Sequence, residues 1–188
     1  MMKLKMKCKQ ICFLLLPLLI AQVSVAQTPQ QRTIAPPQLP NNLKVPPNQV
    51  LQFGERATGV QIYQCKAKSG NPNQFEWTFV APEAKLFDAQ GKNNIKHYAG
   101  PTWEAKDGSK VVGQVKAIFD SPNPNAIPWL LLQAKSQQGN GILSKTTYIQ
   151  RVNTVGGKPP VQGCQNKSVG TQKRVNYTSD YLFYSATP

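Results

Sequence analysis

HYAGPTWEAKDGSKVVGQVKAIF, residues 97–119, reads as two strands joined at Asp107-Gly108, a dipeptide that favours a tight hairpin turn. It carries the chain's only histidine and one of its three tryptophans. Side chains alternate across a strand, so a one-residue slip turns every one of them over. With a two-residue turn, Glu104 opposes Val111 and joins the apolar face of Val111, Val115 and Phe119. A carboxylate there would have a raised pKa and could act as a general acid. With a three-residue loop, Asp107-Gly108-Ser109, Ala105 opposes Val111, Trp103 covers Gly113 and Glu104 faces outward. The second register is favoured, because burying an unpaired carboxylate is costly.

The same period continues on either side. Val60 to Cys65 is rich in β-formers, and Phe75, Trp77 and Phe79 alternate with Glu76, Thr78 and Val80. Ile127 to Ala134 is a near-continuous apolar run, the mark of a strand buried on both faces. Leu143 to Val152 and Val175 to Tyr184 complete the set. Turn signals punctuate it at Asn71-Pro72-Asn73, Asp88 to Gly91, Gly139-Asn140-Gly141 and Gly156-Gly157. No stretch offers a capped helical stripe. Many short strands with regular turns predict an all-β fold, an antiparallel β-sandwich or barrel-like single domain.

The N-terminus sets the compartment. Lys3, Lys5, Lys7 and Lys9 precede an apolar run from Ile11 to Ile20, and Ser24-Val25-Ala26 is a small-x-small cleavage site. Residues 1–26 therefore read as a secretory signal peptide, too short in its apolar run to span a bilayer, and no transmembrane segment follows. Residues 27–42, rich in Pro and Gln, predict an extended linker. Residues 43–188 form the single domain. Because the leader holds four lysines and no acid, the chain beyond it keeps a formal charge of +10 out of +14. Scattered lysines at that charge point to an anionic glycan or other envelope component as a partner, and to no specific nucleic acid. The leader also takes two of the four cysteines, leaving Cys65 and Cys164 as one disulfide in an oxidising compartment.

Catalytic patterns are sparse. There is no Gly-x-Ser-x-Gly elbow and no phosphate loop, and one histidine with two distant cysteines makes no usual metal site. No cofactor is expected. The catalytic candidates are His97, Glu104 and Asp107, which a hydrolase or isomerase would use as base, acid and orienting group. The binding candidates are Tyr63, Tyr98 and Trp103, flat rings suited to sugar stacking on a β scaffold.

Several longer motifs stand in order: GVQIYQC (59–65), W-x-F-x-x-P-E-A-x-L-x-D (77–88), HYAGPTWEAKDGS (97–109), IPWLLLQAKS (127–136), R-V-N-T-V-G-G-x-P-P (151–160) with G-C (163–164), and Y-x-F-Y (181–184). Together they resemble the family catalogued as domain of unknown function 3455 (DUF3455), from about Leu43 to Tyr184. The resemblance implies a secreted protein and carries over no catalytic residue. The expectation is an exported protein of the cell envelope or exterior that binds a surface polymer or ligand without chemistry. An extracellular hydrolase or isomerase, or a purely structural domain, are its rivals.

Overall fold

The structure is a computed structural model, and it describes residues 34–187. The expected signal peptide, 1–26, and the first part of the expected linker, 27–33, lie outside the described residues. Eight strands follow one another: β1 (Gln49–Lys68), β2 (Asn71–Phe87), β3 (Asn93–Tyr98), β4 (Thr102–Ala105), β5 (Lys110–Phe119), β6 (Trp129–Gln138), β7 (Tyr148–Gly156) and β8 (Gln172–Ala186). Each pairs antiparallel with its neighbour in sequence, and β8 pairs back onto β1. Of the two architectures the alternation allows, the chain adopts the closed barrel, in which every strand has a paired neighbour on each side for at least part of its length. The described residues contain no α-helix.

The alternating side chains fill the interior. Ala57, Leu86, Ile95, Trp103, Val111, Leu132, Ile149, Tyr181 and Phe183 form one buried cluster inside the barrel. β6 is apolar on both faces, as the run 127–134 predicts, and the second face has its own cover. Trp129 and Leu131 face outward and pack with Leu43, Val152, Leu182 and Tyr184 beneath Ile34, Leu39 and Val45. The proline-rich segment is thus strapped to the wall from Ile34 onward. Its apolar residues are interspersed with prolines, a short 3-10 turn at Asn41–Leu43 buries Leu43, and a buried chain of hydrogen bonds locks it down. Tyr184 Oη donates to Gln150 Oε1, and Gln150 Nε2 donates to the Leu43 carbonyl, each at 2.7 Å.

The hairpin adopts neither expected register. Its loop is Lys106-Asp107-Gly108, so that Thr102 pairs with Val112, Trp103 with Val111 and Glu104 with Lys110. The Ala105 amide donates to the Ser109 carbonyl at 2.9 Å. The faces are nonetheless those of the favoured register: Trp103 is fully buried, and Glu104 is outside. Asp107 explains the shift. Its Oδ1 accepts from the amide and the hydroxyl of Ser109, which draws Ser109 into a buried position. Its Oδ2 accepts from the Ile142 amide at 2.8 Å, and Ser109 Oγ accepts from the Leu143 amide. Leu143, expected at the start of a strand, instead sits in the β6–β7 loop and enters the interior cluster as a plug.

This plug closes one end of the barrel. The other end is built unevenly. β1 and β2 run 20 and 17 residues, whereas β3 and β4 have only 6 and 4. The short hairpin leaves a notch between β2 and β5. Across the barrel, Cys65 and Cys164 form the expected disulfide, tying the β7–β8 connection to β1.

Candidate functional site

The notch opens into a cavity of about 300 Å³. β2 contributes Phe79, Val80 and Pro82; the β3–β4 turn contributes Ala99, Gly100 and Pro101; β5 contributes Val115; β6 contributes Leu130. Phe79, Val80 and Val115 are 50%, 45% and 42% exposed, an apolar rim that no described residue covers. Deeper in stand His97, Trp103, Leu132, Arg151 and Tyr181. Gly113 on β5 leaves space for the indole: a Cβ there would lie 3.0 Å from Trp103 Cζ3.

His97 is a wall residue. Its ring stacks on Trp103 with centroids 4.4 Å apart and planes 13° apart, and Tyr181 packs edge-on to both. Nδ1 lies 2.9 Å from the Thr102 carbonyl. A carbonyl only accepts, so Nδ1 carries the proton and Nε2 is left as an acceptor. Burial pushes the imidazole pKa down to about 3, outweighing the Thr102 bond that favours the cation. The ring is neutral at any physiological pH.

The expected catalytic residues are not brought together. Glu104 lies on the outer face, where it accepts from Tyr98 Oη at 2.7 Å and pairs with Lys110 at 3.6 Å. The Tyr98 bond first, and Lys110 and Lys96 after it, hold its carboxyl below the usual range. Asp107 stands at the plugged end, its carboxyl also held low by the bonds from Ser109 and Ile142. His97 faces the interior at the open end. Among the described residues no cluster of three His, Cys, Asp or Glu could hold a metal ion.

Of the expected binding rings, Trp103 lines the cavity and Tyr63 is buried beside it, donating to the Gly157 carbonyl at 2.6 Å and meeting Phe79 edge-on. Tyr98 is on the outside with Glu104. The residue that sequence reasoning missed is Arg151. It shares strand parity with buried Ile149 in YIQRV, so the alternation itself points it inward. A charged residue at an inward position of a barrel strand is the signal that identifies it.

A closed, antiparallel eight-stranded barrel with an apolar open end belongs to the class whose interior is either packed solid or holds one small molecule. The chain belongs to the family described as protein of unknown function (DUF3455), whose model matches residues 46–185. That match spans all eight strands and leaves out most of the strap. No curated protein and no solved structure matches the chain. The disulfide accords with an exported protein, and no helix among the described residues is long and apolar enough to cross a membrane.

Proposed function

We propose that the protein is a binding barrel: it takes a small, largely apolar molecule through the β3–β4 notch and holds it against Trp103, Tyr181 and Leu132 without chemical change. The observation that carries this reading is the cavity of about 300 Å³ behind an exposed apolar rim. Pockets for small ligands begin at about this size and are lined mainly by apolar and aromatic groups with few polar ones. A cavity of roughly 150 Å³ admits one benzene ring, so twice that suits two fused rings or a chain of comparable bulk. The non-catalytic half of the reading rests on the placement of the titratable groups. Among the described residues the neutral imidazole has no carboxylate against it, and Glu104 lies on the other side of the sheet.

The test is calorimetric titration with 2-naphthamide, a neutral two-ring probe, against the wild type and Val115→Trp. Val115 sits on the exposed rim, so the larger side chain obstructs the notch without entering the core. Saturable binding in the wild type, weakened roughly tenfold or more by Val115→Trp, supports the reading. Binding that Val115→Trp leaves unchanged places the probe elsewhere and defeats it.

A further inference from the structure

We infer that the ligand is a monoanion, an aryl or alkyl carboxylate whose head group sits on Arg151 and whose apolar body fills the mouth. This rests on the binding-barrel reading and goes further by assigning the ligand's charge. Arg151 projects from β7 into the cavity and is only partly exposed. Among the described residues the one hydrogen-bonding partner of its side chain is neutral: Nε and Nη2 both donate to the Pro128 carbonyl, at 3.3 and 2.9 Å. The ion pairs of the described residues are made elsewhere, by Arg56 with Asp180, Lys110 with Glu104 and Arg174 with Glu83. Glu55 is the buried acid that faces the interior, and it is engaged at the plugged end with Asn94. Arg151 is therefore a cation in an apolar cavity with no counter-charge among the described residues and with donors left over.

Such a charge is costly to hold unless something pairs with it. The guanidinium presents a planar fork that matches a carboxylate with two parallel bonds, which strengthens them and fixes the ligand's direction. A single arginine compensates a single charge, which favours a monoanion over a phosphate dianion. The walls agree. Opposite the one cation they offer rings and aliphatic side chains, and His97 Nε2 only accepts, so it adds no second donor for an anion.

The experiment compares 2-naphthoate with its neutral isostere 2-naphthamide, by calorimetry at pH 7. In the wild type, naphthoate should bind roughly tenfold or more tighter than the amide, the gain of a charge-assisted pair. Arg151→Met should abolish that preference, weakening naphthoate far more than the amide. Arg151→Lys, which keeps the charge and loses the fork, should retain part of it. Thermal melting of each variant reports whether it folds, and if Arg151→Met does not, the wild-type pair and Arg151→Lys decide. Equal affinities in the wild type, or a preference that survives Arg151→Met, overturn the head-group assignment and leave the pocket standing. If neither probe binds, the pocket reading fails and this inference fails with it.

Discussion

The imidazole of His97 lies flat on the indole of Trp103, 4.4 Å away, inside the barrel and one strand from it. The stack explains why the only histidine is buried. A neutral ring with one N–H given to the Thr102 carbonyl behaves as an aromatic wall, and it adds packing beyond the area it covers. It also makes the barrel sensitive to acid, because the ring must lose this environment before it can take a proton.

The sign of that sensitivity is set against a second buried group. His97 has an ordinary pKa of 6.5 and a folded one of about 3, so between these the unfolded chain holds the extra proton and stability falls as pH falls. Glu55 is the reverse. Burial raises it from 4.5 to about 7; Asp88 adds to the rise and the Asn94 bond opposes it. Between those values the folded chain holds the extra proton, and stability rises as pH falls. From pH 6.5 to 4.5 the two slopes, each at most about 1.4 kcal/mol per pH unit, oppose each other. The wild type should show a nearly flat urea midpoint across that window. Glu55→Gln should expose a steady loss from pH 6.5 downward, and adding His97→Phe should flatten it again. A sloping wild type with an unchanged Glu55→Gln profile would refute the pairing.

Glu104 and Asp107 should separate cleanly under substitution. Glu104→Gln removes an exposed pair with Lys110 and keeps an acceptor for Tyr98, so its urea midpoint should match the wild type. Asp107→Ala strands the Ser109 and Ile142 amides and loosens the Leu143 plug, at a cost of about 1–3 kcal/mol. Equal effects at the two sites would contradict their placement on the outer wall and at the closed end.

What the sequence revealed and what it hid follow from the range of the interactions. The doubly apolar β6 and the inward Trp103 are set by alternation, a local signal, and the Cys65–Cys164 pair follows from their being the two cysteines beyond the expected leader. Closure of the barrel is not local, since a sandwich strand and a barrel strand share one period. The hairpin register slipped because the groups that hold Asp107 include an amide 35 residues away in a loop with no pattern of its own. The strap over β6 was hidden by its prolines, which report an extended chain and say nothing of what it lies against. Arg151 was legible in principle, but only once its strand was known to have an inside.

The strap supplies a third prediction. Leu43 is fully buried between the barrel wall and the rest of the segment. Leu43→Ala should cost about 2–5 kcal/mol, the range for a large-to-small change in a packed core. Val161→Ser, at a residue 98% exposed, should cost nothing measurable and serves as the control. Equal urea midpoints for the two variants would mean that the strap does not stay docked in solution.

The disulfide supplies the last. Cys65 and Cys164 are 99 residues apart in sequence, so the bond closes most of the barrel into one loop. By chain entropy alone its loss would cost about 4–5 kcal/mol, an upper value because the reduced unfolded chain is not a free coil. The β1–β8 pairing reaches Gln64 and Gln172 beside it, so the barrel has other means of staying closed there. Replacing both cysteines with serine should therefore lower the melting temperature clearly while leaving the β-sheet circular dichroism intact. The local effect should be seen at Trp77, which pairs with Cys65 across the strands and donates to the Gln162 carbonyl at 2.9 Å. Once Cys164 no longer anchors the β7–β8 connection, that hydrogen bond loses its fixed partner and the indole emission should shift to the red. An unchanged melting temperature together with unchanged emission would mean that the connection is held by its backbone bonds from Gly170 and to Thr171 alone.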